Sequence, residues 1–223
     1  MVKEDITLVY MGGDGYTEST AQPFLNYLNQ HGIKTIYIPL REEDENCSYD
    51  DLETENYCQY IDGFIPKATP NLYGYGISKG SHWIRVYASK RPRTFKKLIL
   101  VEETTMTPEL MVEYEHSRGN DYVEEFYHNP NDIPGLNSTD KALDVIVSDH
   151  AKYCPKGMPI HVVFTSRNNM NEPYSEDVVQ LKNRYVQYLK RNGCQVRVHK
   201  FNSDHCIDTH PQYFPQLLSI IAE

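Results

Sequence analysis

The alternation of short apolar segments with amphipathic ones constrains the fold of this chain most. The apolar run "DITLVYM" (5–11) ends in a glycine-rich turn, as a buried strand would. Apolar residues at spacings of three and four then predict a helix that ends at Gly32, and "KTIYIPL" (34–40) is a second apolar run. Continuous apolar strands joined by a helix are typical of a parallel sheet covered on both faces.

The same alternation continues along the chain and predicts an α/β fold. The fold class we expect is a mostly parallel central sheet with helices on both faces. Further strands are predicted at 71–76, 96–103, 159–166 and 195–201, and helices near 57–64, over 79–89, after Ser175 and from Phe214. Residues 104–157 break the rhythm, and we interpret them as a helical cap insert within one domain that spans 1–223.

Composition and charge are those of a globular protein. Of the 223 residues, 39% are hydrophobic and 24% are charged, which suits a packed core. The formal net charge is -9, without a cluster of Lys and Arg, so we expect no nucleic-acid partner.

The cysteines and the apolar runs bear on the compartment. Five scattered cysteines without a Cys-x-x-Cys pair indicate neither a disulfide framework nor a zinc site. The N-terminal segment is too short and too acidic for a secretory signal, and no apolar run is long enough to span a membrane. We therefore expect a cytoplasmic protein with no membrane span.

A serine between glycines, "GISKG" (76–80), is the first candidate for chemistry. Ser78 follows a predicted strand and opens a predicted helix, which is the context that a G-x-S-x-G nucleophile turn requires. Glycines leave room for so sharp a turn, and the helix directs its first N–H groups at the serine. A glycine-rich turn that merely contains a serine is the alternative, and we favour Ser78 as a nucleophile.

A histidine late in the chain supplies the base that a serine nucleophile needs. His205 lies in "FNSDHCIDTHP" (201–211), after the last predicted strand and at the same edge of the sheet. His210 is the competing histidine, and we favour His205 because it lies nearer the strand end. The segment "HCIDTH" could also offer metal ligands, but no second ligand cluster supports a metal site.

The glycine-rich turn "MGGDG" (11–15) is the third candidate element. A tetrahedral intermediate needs two N–H donors aimed at its oxyanion. We expect one from the backbone of Lys79 and the other from Gly13 or its neighbour Asp14. A phosphate-binding loop is disfavoured, because the spacing G-x-G-x-x-G and a following Lys-Ser/Thr are both absent.

Taken in this order, the glycine-rich turn, G-x-S-x-G turn, helical insert and late histidine resemble the α/β-hydrolase fold superfamily. The resemblance covers nearly the whole chain. It implies a serine hydrolase that acts on an ester, thioester or similar acyl bond with neither a metal nor an organic cofactor. The lysine after the serine resembles some acyl-CoA thioesterase and peptidase relatives.

The acid of the catalytic triad departs from the superfamily pattern. The superfamily usually places it in the loop after the strand at 159–166, where Asn169 stands in this chain. Glu172 lies three residues further along that loop, and Glu103 lies at the end of the strand at 96–103, where some lipases carry their acid. Both are candidates, and we prefer Glu103 because a strand end needs no loop rearrangement.

The sequence thus favours a carboxylesterase- or thioesterase-like serine hydrolase whose partner is a small-molecule acyl substrate. Ser78 and His205 would be catalytic, with Gly13 and Lys79 as the oxyanion hole. The alternative is a non-catalytic relative of the same fold that binds a ligand in the same pocket, which Asn169 favours. A homodimer is left open.

Overall fold

Strands and helices alternate along the described part of the chain. The computed structural model describes residues 5–13, 15–41, 51–66, 69–102, 153–169, 172–174 and 176–223. Its strands are β1 (Thr7–Met11), β2 (Lys34–Ile38), β3 (Leu72–Ile77), β4 (Lys97–Val101), β5 (Pro159–Thr165), β6 (Arg167–Asn169), β7 (Glu172–Pro173) and β8 (Gln195–Phe201). Its α-helices are α1 (Glu18–Gln30), α2 (Asp51–Asp62), α3 (Lys79–Lys90), α4 (Glu176–Arg191) and α5 (Phe214–Ala222).

The main sheet has six strands in the order β2-β1-β3-β4-β5-β8. Every neighbouring pair in it is parallel, which confirms the predicted fold class. β8 is the last strand on one side of this sheet. A small antiparallel pair, β6 and β7, was not predicted, because strands of three and two residues leave no periodicity to detect.

Two hydrophobic layers cover the sheet. On one face, side chains of α2, α3 and α4 pack on the strands, among them Tyr57, Trp83 and Leu189. On the other face α1 and α5 do the same, with Phe24 and Leu217 fully buried. Because both faces are covered, the exposed positions for chemistry lie at the edges where the strands end.

The candidate residues lie at the end of the sheet formed by the carboxyl ends of its strands. All six strands of the main sheet run in the same direction, so their carboxyl ends meet there. The turn at Gly12 follows β1, Ser78 follows β3, Glu102 follows β4 and the loop that carries His205 follows β8. The topology therefore brings the predicted nucleophile, base and glycine turn to one edge.

The cysteine spacing indicated no disulfide, and this expectation is wrong for one pair of cysteines. Cys154 and Cys194 form a disulfide across 40 residues of sequence, with their Cα atoms 6.6 Å apart. They precede β5 and β8, which are neighbours in the sheet, and Gly157 N donates to Gly193 O at 3.0 Å between the same two turns. Only the strand order makes these cysteines neighbours.

The cap insert and the membrane span are the two remaining sequence predictions about the architecture. Most of the predicted cap insert, 104–152 of its 104–157, lies outside them. Within the described chain, no helix combines the length and the apolar character needed to cross a bilayer.

Candidate active site

Ser78 occupies the sharp turn between β3 and α3. Its φ is 54° and its ψ is -126°, a left-handed conformation that a residue with a side chain rarely adopts. The turn is held from the neighbouring strand, since Ser78 N donates to Val101 O at 2.8 Å. A strained residue at the N-terminal end of a helix is the backbone arrangement expected of a nucleophile turn.

The glycines on either side of Ser78 are required by close backbone contacts. A Cβ on Gly76 would lie 2.4 Å from Ser81 Cα, and a Cβ on Gly80 would lie 2.2 Å from Met11 O and 2.3 Å from Gly12 O. These are contacts with main-chain atoms, which cannot swing away as a flexible side chain can. The motif therefore lets α3 pack directly against the turn that follows β1.

We expect Gly80→Ala to destabilise the protein, although alanine is the better helix former. Helix propensity favours alanine by about 1 kcal/mol, whereas overpacking against backbone costs about 1–3 kcal/mol or more. Urea denaturation monitored by circular dichroism would measure the change. Gly63→Ala is the matched control, because its Cβ would meet only Tyr60 O, at 3.2 Å; a loss of stability no larger at Gly80 than at Gly63 would contradict the argument.

The turn after β1 lies against the serine side chain. A Cβ on Gly13 would lie 2.8 Å from Ser78 Cβ and 3.4 Å from Ser78 Oγ. Lys79 is the first residue of α3, where backbone N–H groups have no acceptor within the helix. Gly13 thus lies against Ser78 in space and Lys79 follows it in the chain, while Asp14 lies outside the described residues.

His205 lies beside Glu102, the residue that directly follows β4. His205 Nδ1 is 3.7 Å from Glu102 Oε2, an ion-pair distance, and both side chains are buried. The Tyr174 hydroxyl contacts both: it donates to Glu102 Oε2 at 2.9 Å, and its oxygen is 3.5 Å from His205 Nδ1. A carboxylate on the Nδ1 side of a histidine can orient the ring and stabilise its protonated form.

Glu102 is held in place by several donors. Oε1 accepts from the backbone N–H of Thr165, and Oε2 also accepts from Lys182 Nζ at 2.9 Å. Burial would raise the pKa of this carboxyl, but the adjacent His205 and the Lys182 ammonium outweigh that effect and lower the pKa. The carboxyl is therefore negatively charged at neutral pH although it is fully buried.

The positions considered for the acid from the sequence are Glu103, Asn169 and Glu172. Glu103 lies outside the described residues. Asn169 and Glu172 are backbone positions in β6 and β7, opposite each other in the antiparallel pair. Of the acid candidates, Glu102 is the one whose contact with His205 the structure describes.

The two histidines and the aspartate of "HCIDTH" have separate partners. His205 lies beside Glu102, whereas His210 Nε2 is 2.8 Å from Asp204 Oδ1. Asp208 accepts hydrogen bonds from tyrosine hydroxyls instead. The segment therefore does not gather its side chains into a ligand cluster, and His210 braces the loop that carries His205.

A separate group of possible metal ligands occurs among the described residues. His161, His199 and Glu223 bring ligand atoms within 4.8 Å of one another. However, His161 Nδ1 and His199 Nε2 are 2.9 Å apart and the ring planes differ by 8°. At that distance the two ring nitrogens can hydrogen-bond to each other, which competes with binding of a metal ion.

One sequence signal points to a buried carboxylate such as Glu102. The buried face of α4 carries Val178, Tyr185 and Leu189 at helical spacing, and Lys182 falls within the same stripe. A lysine in an apolar stripe needs a buried carboxylate partner. That signal predicts an acid beneath α4, although it does not say which one.

Comparison with known proteins supports the fold. No protein-family model and no curated protein matches the sequence. Among solved structures, Est1E from Butyrivibrio proteoclasticus has a TM-score of 0.56 and 15% identity, over 99% of this chain and 86% of that one. The thioesterase domain from the curacin biosynthetic pathway has a TM-score of 0.56 and 16% identity, over 99% and 92% of the two chains.

A dienelactone hydrolase from Anabaena variabilis gives a similar result. Its TM-score is 0.57 and its identity 14%, over 97% of this chain and 83% of that one. Full-length superposition at such low identity reflects a shared architecture, and other matching structures are also α/β hydrolases, esterases or a lipase by description. With its parallel six-stranded sheet and strand-to-helix serine turn, the chain has the α/β-hydrolase fold.

Proposed function

We propose that the protein is a serine hydrolase that cleaves a carboxylic ester or thioester of a small-molecule substrate. The observation that carries the proposal is the strained turn at Ser78, against which Gly13 packs. A buried acid–histidine pair, Glu102 and His205, lies at the same edge of the sheet. Esterases and a thioesterase with the same fold support this choice of bond.

In the proposed mechanism Ser78 Oγ attacks the acyl carbonyl carbon while His205 Nε2 takes the hydroxyl proton. The carbonyl oxygen becomes an oxyanion, which the backbone N–H groups of Lys79 and of Gly13 or its neighbour stabilise. Glu102 stabilises the imidazolium. The proton then passes to the departing alcohol or thiol as its bond to the acyl carbon breaks, and water hydrolyses the acyl-enzyme by the same steps.

The predicted cap completes the proposal. Residues 104–157 follow β4 and would cover the edge of the sheet that carries Ser78. A cap there would shape the acyl pocket and exclude bulk water from the reacting atoms.

A non-catalytic, ligand-binding relative is the second candidate, and one observation favours it. Glu102 Oε2 already accepts from Tyr174 and Lys182, and the 3.7 Å to His205 Nδ1 is longer than a hydrogen bond. Such a carboxylate could stabilise the fold without orienting a base. Catalytic hydrogen bonds often tighten only when substrate binds, so the serine hydrolase remains the function we propose.

Labelling with a fluorophosphonate tests the proposal. The probe phosphonylates an activated serine and releases fluoride, so we expect one adduct per chain, on Ser78 by peptide mapping. Ser78→Ala and His205→Ala should each abolish it. Ser166→Ala is the matched control, since this exposed serine follows β5 at the same edge and should leave labelling unchanged.

The result decides between the two candidates. A folded wild-type protein that takes up no probe would favour the ligand-binding relative. An adduct on a serine other than Ser78 would show that the nucleophile is wrongly assigned.

A further inference from the structure

A buried carboxyl, Asp208, joins two parts of the candidate active site. It lies in the short 3-10 helix Ile207–Thr209, three residues after His205, and is 1% exposed. Its Oδ2 accepts from Tyr10 OH at 2.8 Å and from Tyr75 OH at 3.3 Å, and its Oδ1 accepts from Tyr16 OH at 3.1 Å. The proposed mechanism uses none of these four side chains.

The donors come from different places in the fold. Tyr10 lies in β1 and Tyr75 in β3, with their rings stacked 5.2 Å apart between centroids. These two strands belong to the centre of the sheet. They therefore give Asp208 a fixed position relative to the turn at Ser78, which ends β3.

Tyr16 is the donor that belongs to the glycine turn. Its backbone N–H donates to Gly13 O at 3.1 Å, and its Cβ lies so close to Gly12 that a Cβ there would be 2.5 Å away. Tyr37 OH donates to the carbonyl of Tyr16 at 3.2 Å. Tyr16 is therefore joined to the turn at Gly12 and Gly13 through its backbone and its Cβ.

The pKa values of the three tyrosines identify their hydroxyls as the donors in these hydrogen bonds. Burial, and then the charge of Asp208, raises the pKa of Tyr10, Tyr16 and Tyr75 above the usual value. All three phenols keep their protons and act as donors. Burial raises the pKa of Asp208, and the three tyrosine hydroxyls oppose that rise.

We propose that Asp208 is a positioning residue that ties the oxyanion turn to the loop of the catalytic histidine. The buried carboxyl of Asp208 belongs to the histidine loop and accepts from Tyr16 beside the oxyanion turn, so neither segment can shift without stretching this hydrogen bond. As a role for the reaction, this inference rests on the proposed function. The tie itself is a physical link that can be measured without turnover.

Hydrogen exchange measures the tie directly. In Tyr16→Phe and in Asp208→Asn we expect faster amide exchange in both peptides, 12–17 and 203–210, because release of one segment releases the other. Tyr87→Phe is the matched control. The hydroxyl of this buried tyrosine also donates to a carboxylate, Asp62 Oδ1, at 2.8 Å, but elsewhere in the fold, so its loss should change exchange in neither peptide. Faster exchange in only one peptide would overturn the tie.

Kinetics with a p-nitrophenyl ester measures the consequence for the reaction. Misplacing an oxyanion donor affects the transition state more than substrate binding, so kcat should fall about tenfold in Tyr16→Phe, with KM within about twofold. Fluorophosphonate should still label the full complement of sites, only more slowly. A loss of active sites with unchanged kcat per labelled site would indicate a purely structural role and overturn the proposal.

The two sets of measurements separate this inference from the proposed function. Coupled exchange without hydrolysis or labelling would support the tie and contradict the proposed function. Hydrolysis that keeps its wild-type kcat in a folded Tyr16→Phe would overturn the positioning role and leave the proposed function standing. Should Asp208→Asn fail to fold, Tyr16→Phe alone decides, because it removes a single hydroxyl.

Discussion

Replacing Ser78 or His205 with alanine is expected to lower kcat for p-nitrophenyl ester hydrolysis by about ten thousandfold or more. Without the hydroxyl there is no acyl-enzyme, and without the imidazole no base takes its proton. The two groups act as one unit, so the double variant should be no slower than either single variant. Initial rates at saturating substrate, with circular dichroism to establish folding, provide the measurement.

His210→Gln is the control for the base. His210 lies on the same loop but contacts Asp204, so its loss should lower kcat less than about tenfold. A drop at His210 as large as that at His205 would mean that the wrong histidine has been assigned. Full activity in a folded Ser78→Ala would remove the covalent mechanism altogether.

The fold could be predicted because its signals are local and repeated. The apolar run before Gly12 and the run at 195–201 each gave a strand within two residues of its observed bounds, β1 and β8. The parallel arrangement followed from the helices between the strands. The disulfide of Cys154 and Cys194 could not be predicted this way, because its partners are brought together by strand order alone.

The turn at Ser78 could be predicted for the same reason, since a strand, a glycine-flanked serine and a helix follow one another directly. The contact between Glu102 and His205 could not. The apolar pattern predicts a strand that continues to Glu103. In the structure β4 ends at Val101, and Glu102 makes the contact with His205. Which of two adjacent glutamates faces a histidine about a hundred residues later depends on where the strand ends, and periodicity fixes that only within a few residues.

Asp208 illustrates a different limit. In the sequence it is one polar residue of a loop that also carries His205 and His210, and nothing in that loop predicts its burial. Its partners are tyrosines of β1 and β3 and of the glycine turn, far from it in sequence. A buried carboxyl with such donors can be recognised only after the sheet has brought these elements together.

Glu102→Gln is expected to lower kcat by at least about a hundredfold. The substitution keeps the shape of the side chain but removes the negative charge that stabilises the imidazolium of His205, and the corresponding Asp-to-Asn change in a serine protease costs about ten thousandfold. It also leaves the buried ammonium of Lys182 without its carboxylate, which costs stability. The loss of rate must therefore be separated from a loss of folded protein.

The double variant Glu102→Gln/Lys182→Met makes that separation, because it removes both charges of the buried pair. We expect it to be more stable to urea than Glu102→Gln and still at least about a hundredfold slower than wild type at saturating substrate. Glu103→Gln and Glu172→Gln are the matched glutamate controls and should keep kcat within about tenfold.

If instead Glu102→Gln turns over normally and one of these controls loses a hundredfold in kcat, the glutamate replaced in that control is the acid and Glu102 only neutralises Lys182. If none of the three glutamates matters and Asn169→Asp raises kcat, the histidine is oriented by the asparagine at the superfamily's usual acid position.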